Sequence, residues 1–148
     1  MQKHANVVWQ GGIKDGGGTI STETGVLRDA PYGFNARFGT GKGTNPEELI
    51  AAAHAACFSM ALAGALGEAG LKVEEISTLA TITLDKVPDG FEISQSDLQV
   101  VAKVPGASAA QFAEIAERTR AGCPVSKLMK AKITLIATLA PLVTRLAS

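Results

Sequence analysis

Two cysteines and a histidine carry the reactive chemistry this sequence offers. Cys57 lies in NPEELIAAAHAACFSMALAGAL (45–66), with His54 three residues before it, and Cys123 opens CPVS (123–126). A thiolate is both a nucleophile and a metal ligand, so three chemistries are open. The two thiols can cycle between dithiol and disulfide. His54 can serve as base to a Cys57 nucleophile. Cys57, His54 and Cys123 can also act as three metal ligands, although only His4 and scattered carboxylates remain to complete a tetrahedral set. Packing competes with all three, because a free cysteine often behaves as a small core residue.

The two thiols have different local settings. On a helix, Cys57 shares a face with Ile50, Ala53, His54, Ala61 and Gly64. Most of these are small, so another side chain can approach the sulfur closely. Apolar surroundings favour the neutral thiol, so the spacing predicts a raised pKa unless a cation is brought to it. Cys123 precedes Pro124, a residue suited to the first helical position, which puts its thiol at a helix N-terminus, where the dipole favours thiolate. Arg28, Arg37, Arg118, Arg120 and Arg145 are the candidate cations, and spacing does not choose among them.

The stretch that holds Cys57 is itself unusual. Leu49 to Leu66 is 18 residues without a formal charge, near the lower limit for a membrane span. Eight are alanine, one is histidine, and the N-terminal flank is acidic, which argues against a span. A helix apolar all round must be covered all round. One small domain has few elements to do this, so a partner chain is expected, most simply in a twofold homodimer.

The rest of the chain bounds the classes. Its 148 residues suit one domain, 1–148, with a tail at 140–148 that pattern does not assign. Apolar residues at 46% and charged residues at 19% give a globular balance and exclude disorder. Fourteen basic and fourteen acidic residues cancel, with no basic block of five, so neither nucleic acid nor an anionic membrane is indicated as a partner. MQKHANVVWQGG lacks the apolar run of a secretory signal, which predicts a cytoplasmic protein, where stable structural disulfides are uncommon. GTGKGT (39–44) reads as a flexible loop and lacks the spacing of a phosphate loop.

The elements that must position the thiols follow from periodicity. HANVVWQ (4–10) reads as a strand, and the five glycines of GGIKDGGGTIST close a hairpin. Turn chemistry stands at Asp29-Ala30-Pro31 and at Gly33. The long helix starts at the N-cap Asn45 with Pro46 first, carries Glu47 and Glu48 in its first turn, and stops at Gly67 or Gly70. Glu48 is placed to complete a capping box. Residues 74–87 and 91–104 read as strands joined at Pro88-Asp89-Gly90. An amphipathic helix at 108–122 puts Phe112, Ile115, Ala116 and Thr119 on one face. A short helix from Cys123 to about Lys130 and a strand at 131–139 complete an α+β arrangement with antiparallel sheet.

Three runs carry a family likeness: TETGVLRDAPYGFNARF (22–38), KGTNPEELIAAAHAACFSMAL (42–62) and AGCPVSKLMKAKITL (121–135). The chain resembles the osmotically induced protein C family (OsmC), sister to the organic hydroperoxide resistance (Ohr) proteins. The likeness runs from Val8 to Leu139, and the tail beyond departs from it. PYGFNARF, with its arginine just before the glycine-rich loop, resembles the OsmC branch.

The resemblance implies an OsmC-like fold: antiparallel sheets wrapped around long central helices in an intertwined homodimer. It implies a thiol-dependent peroxidase with an antioxidant, stress-response role, acting on organic hydroperoxides without a cofactor. Cys57 matches the peroxidatic cysteine and Cys123 the resolving one. Arg37 matches the arginine that activates the thiol, and Glu47 the carboxylate that holds it. The reductant is expected to be a dithiol, and the sister branch points to a dihydrolipoyl type. Phe58, Met60 and Leu62 or their neighbours are expected to supply the apolar surround for the peroxide. Glu47 and Cys57 are ten residues apart, about 15 Å along a straight helix, so the site is expected to form across the dimer interface. Two other classes compete: a cysteine hydrolase using Cys57 with His54, and a non-enzymatic redox sensor.

Overall fold

The computed structural model describes residues 1–141, and the chain divides into two compact units, Met1–Leu49 and Ile50 onward. Of the tail at 140–148, residues 142–148 lie outside the described residues.

The first unit is a three-stranded antiparallel sheet of β1 (Ala5–Gln10), β2 (Gly17–Thr22) and β3 (Ala30–Tyr32), in that order, followed by the short helix α1 (Phe34–Phe38). The hairpin between β1 and β2 turns tightly. A Cβ on Gly16 would meet the carbonyl oxygens of Gln10 and Gly12 at 2.4 Å, so only glycine fits there. The turn expected at Asp29-Ala30-Pro31 resolves differently. Asp29 alone takes a left-handed conformation (φ 50°), its N–H donating to Ser21 Oγ at 2.9 Å. Ala30–Tyr32 pairs with β2 as an edge strand, where the missing N–H of Pro31 costs nothing. The five residues of α1 are too few to show helical periodicity in sequence.

The long helix α2 (Pro46–Glu68) has the predicted ends. At its start, the Glu48 N–H donates to Asn45 Oδ1 at 2.9 Å. The capping box is only half made, because the Glu48 carboxylate accepts from the Thr44 hydroxyl at 3.3 Å. At its end, Gly70 is left-handed (φ 76°), with its N–H on Gly67 O and that of Leu71 on Leu66 O. This is a Schellman closure that satisfies two of the last free carbonyls.

In the second unit, β4 (Glu75–Val87) and β5 (Gly90–Lys103) form an antiparallel hairpin across Pro88-Asp89. α3 (Ala109–Gly122) is capped by Ser108, α4 (Pro124–Leu128) follows, and β6 (Lys132–Leu139) joins the sheet beside β5. The pairing of β5 with β6 is parallel, which corrects the expectation of a wholly antiparallel sheet. The reason is the connection: α3 and α4 supply the long crossover that parallel neighbours require. α4 also ends two residues earlier than expected.

The core of this unit lies between sheet and helices. β5 turns Ser96, Leu98, Val100 and Ala102 inward, and α3 contributes the expected Phe112, Ile115, Ala116 and Thr119. From α2 come His54, Phe58, Leu62 and Leu66, four residues apart in one buried row. α2 is long and apolar enough to cross a membrane by length and composition, yet this row is seated against a folded core. Its remaining sides carry exposed residues, Met60 among them at 79%.

Replacing the helix cap tests how α2 is started. Asn45→Ala should lower unfolding free energy by about 1 kcal/mol, and Asn45→Asp should recover most of it. Urea unfolding followed by circular dichroism measures both.

Candidate active site

The sheet and the α3–α4 corner bring the two cysteines together. Cys57 is half-buried on α2, one residue before the core residue Phe58. Cys123 is buried between α3 and α4, in extended backbone as the N-cap of α4. Its Sγ accepts the Ser126 N–H at 3.4 Å and lies 3.1 Å from Ser126 Oγ. The Cys57 thiol neighbours the Cys123 thiol and the backbone N–H of Val125. Both thiols are free. Burial pushes the Cys57 pKa up, the Val125 N–H opposes this, and the adjacent Cys123 thiol adds to the rise. Cys57 therefore rests as the thiol within this unit, as its apolar helix face predicted.

His54 does not form the dyad with Cys57. Three residues of helix turn the ring onto the core side, next to Phe58. There it is fully buried, with Nδ1 2.7 Å from Ser96 Oγ and Nε2 2.9 Å from Ser126 Oγ. Burial lowers its pKa and keeps the ring neutral. Sequence reasoning missed both serines. Ser96 is the one hydroxyl in the inward row Ser96, Leu98, Val100, Ala102, a polar interruption visible in the alternation. Ser126 stands three residues after Cys123, at the position whose N–H a helix cap receives.

Arg37 and Glu47 are joined in the first unit. Arg37 Nε donates to Oε2 at 3.0 Å and Oε1 at 3.2 Å, and Nη2 donates to Oε1 at 2.6 Å. Two nitrogens on one carboxylate make a fork that fixes the guanidinium plane. Glu47 also sits in the first turn of α2, where the helix dipole favours its charge. Arg37 lies 5.2 Å from the Phe38 ring centre and borders a pocket of about 70 Å³ with Trp9, Tyr32 and Phe34. Of the other candidate cations, Arg120 is bound to Glu117 and to the Ile133 carbonyl, and Arg145 lies outside the described residues.

The apolar surround is built from other residues than expected. Phe58 and Leu62 are core residues with no exposure, and Met60 points outward. A cleft of about 310 Å³ is lined instead by Ile50, Ala53, Ile93, Val125, Leu128 and Met129. Two of its lining residues adjoin Cys57: Ala53 lies one helical turn before it, and the Val125 N–H touches its sulfur. Among the described residues, no group of three or more His, Cys, Asp or Glu is placed to hold a metal ion.

Residues 39–137 match the OsmC-like protein family. This chain belongs to the OsmC family. Glu47, Cys57 and Cys123 fall inside the matched span, and Arg37 lies two residues before it. Peroxiredoxin OsmC of Escherichia coli is 55% identical over 135 residues, 91% of this chain and 94% of that protein. The organic hydroperoxide resistance protein of Xanthomonas axonopodis is 33% identical over 101 residues, 68% of this chain and 69% of that protein. The crystal structure of the organic hydroperoxide resistance protein OhrB of Bacillus subtilis superposes with a TM-score of 0.66 at 27% identity, covering 93% and 98% of the two chains. An OsmC-like protein from Vibrio cholerae reaches 0.74 at 14% identity over 93% and 99%, a likeness of fold alone.

The buried histidine makes stability depend on pH with a definite sign. Its folded pKa is depressed, so the unfolded chain takes up the proton first as pH falls through the ordinary histidine range. Stability should therefore drop as pH falls below about 6.5. Urea midpoints between pH 7.5 and 5 should fall less steeply in His54→Gln than in the wild type.

Proposed function

We propose that this OsmC-family protein is a thiol-dependent peroxidase that reduces organic hydroperoxides to alcohols. The observation that carries this is the meeting of two free thiols 66 residues apart, Cys57 and Cys123, with Val125 touching the Cys57 sulfur and also lining an apolar cleft. The names of the relatives, a peroxiredoxin and organic hydroperoxide resistance proteins, support the same chemistry.

The reaction follows from the groups present. The Cys57 thiolate attacks one oxygen of the O–O bond, which breaks, and the other oxygen takes a proton and leaves as alcohol. Sulfur is oxidised to sulfenic acid and the peroxide is reduced. Cys123 then attacks the sulfenic sulfur, a disulfide forms and water leaves. A dithiol, of dihydrolipoyl type by analogy with the sister branch, restores both thiols by exchange. No cofactor is required.

Burial suppresses the Cys57 thiolate, so a cation must offset it. Arg37 is proposed for this role, with Glu47 aligning it. A guanidinium keeps its charge and offers several donors to a thiolate and a peroxide oxygen at once. Glu47 and Cys57 are ten residues apart, about 15 Å of helix. We therefore propose that Arg37 and Glu47 meet Cys57 across an intertwined homodimer. The exposed apolar sides of α2 support this, since a second copy would cover them. In this proposal residues 1–148 work as one OsmC-like domain in the cytoplasm. A hydrolase using Cys57 with His54 is disfavoured, because both ring nitrogens are held by serines.

Peroxide consumption by the purified protein decides the matter, with cumene hydroperoxide and hydrogen peroxide compared and dihydrolipoamide as reductant. The organic peroxide should turn over faster, and Cys57→Ser should abolish turnover. Oxidation for a single round without turnover under any dithiol would instead mark a redox sensor. Arg37→Gln should slow turnover about 100-fold and raise the pH at which Cys57 becomes half-reactive toward iodoacetamide.

A further inference from the structure

Disulfide closure needs a base that the peroxidase reaction leaves unspecified. Cys123 must lose its thiol proton to attack the sulfenic sulfur, and at 1% exposure it meets little solvent, although it also lines a cavity of about 500 Å³ with Arg118 and Thr119. Beside the Cys57 sulfur it will attack, Cys123 has the Ser126 hydroxyl 3.1 Å from its Sγ. The same hydroxyl is 2.9 Å from Nε2 of His54, whose Nδ1 is 2.7 Å from Ser96 Oγ. Ser96 and His54 have no exposure, and Ser126 has 6%. The other buried hydroxyl near this corner, that of Thr119, is committed to the Ile115 carbonyl.

We propose that Ser126 and His54 form the proton path that ionises Cys123 during disulfide closure. This rests on the peroxidase reading of Cys57 and Cys123. Ser126 touches the reacting sulfur, and His54 acts through it. With Nδ1–H donating to Ser96, Nε2 is free to accept from the Ser126 O–H, and that oxygen can accept from the Cys123 S–H. Passage of the proton leaves His54 cationic, its Nε2–H donating to Ser126 and the Ser126 O–H donating to the Cys123 thiolate. No heavy atom in the chain need move. The thiolate then attacks Cys57 Sγ, the S–O bond breaks, and hydroxide leaves. One proton from His54 and one hydroxide make the water, so the step balances as sulfenic acid plus thiol giving disulfide plus water. Ser96 keeps Nδ1 occupied as a donor, which fixes the accepting nitrogen toward Ser126. Burial keeps the resting ring neutral and able to accept, and the same burial disfavours the cation, so His54 holds the proton only until the departing hydroxide takes it.

A packing role alone would also place hydroxyls around a buried ring. It would not require the second contact from Ser126 to sulfur, and it would not affect one chemical step more than another. The test therefore separates the two steps. The full chain is mixed with one equivalent of cumene hydroperoxide and quenched over milliseconds to seconds, with dimedone to trap sulfenic acid. Mass spectrometry then follows Cys57 sulfenic acid and the Cys57–Cys123 disulfide. In Ser126→Ala and His54→Gln, the ratio of closure rate to Cys57 oxidation rate should fall about tenfold or more, with trapped sulfenic acid accumulating. Ser126→Thr, which keeps the hydroxyl, should restore closure. Unchanged closure in Ser126→Ala, equal slowing of both steps, or failure of threonine to rescue would overturn the proton path. Absence of both sulfenic acid and disulfide in the wild type would overturn the peroxidase reading instead.

Discussion

A helix that is apolar around its whole circumference has to find cover on every side, and α2 meets this constraint on one side within its own unit. The row His54, Phe58, Leu62 and Leu66 is sealed against β5 and α3. Burying the three apolar side chains of that row contributes on the order of 5–9 kcal/mol of gross transfer free energy. That row sets the rotation of the helix, and the rotation decides what each neighbouring residue can do. His54 is turned inward and must satisfy two ring nitrogens from the core. Cys57, one residue before Phe58, is left at the edge of the seal, half-buried and beside Cys123.

The same seal creates the electrostatic problem that the proposed chemistry has to solve. A thiol removed from water holds its proton, and Cys57 is pushed that way by burial and by its neighbouring thiol. Among the described residues, the group that opposes this is the N–H of Val125. A guanidinium already locked by a carboxylate is the natural offset, because its charge is permanent and its plane is held. Arg37 and Glu47 form such a fork in the first unit. In the proposed homodimer, a second copy would cover the apolar sides of α2 left exposed and bring that fork to a thiol. Cover for the helix and charge for the sulfur would then come from one assembly.

Among the described residues, the buried polar side chains His54, Ser96, Thr119 and Ser126 each have a hydrogen-bond partner. Ser96 interrupts an otherwise apolar row on β5, and Ser126 stands in the first turn of α4, three residues after Cys123. A buried imidazole without partners would cost several kcal/mol, so the two hydroxyls are a structural necessity before they are anything else. Their arrangement has one feature beyond necessity. Ser126 bridges to sulfur as well as to nitrogen, which ties the histidine to the cysteine farther from it in sequence rather than to the one three residues away.

Much of this was legible in the sequence, for reasons of local physics. Caps, glycine stops and the 3.6-residue period are short-range signals, and they marked α2, α3 and the β4–β5 hairpin closely. The raised pKa of Cys57 followed from the apolar character of its helix face. The Arg37–Glu47 pair and the partnership of the cysteines were available only through family likeness, since spacing favoured no arginine and joined no thiols. Tertiary structure alone decided the rest. The parallel pairing of β6 depends on where a two-helix crossover returns the chain. The partners of His54 lie 42 and 72 residues away, and no local period reports contacts at that range. Sequence determined which residues could do chemistry and which faces had to be buried. Only the packed fold determined which of them meet, because the rotation of one helix against one sheet chooses among faces that the chain itself leaves equivalent.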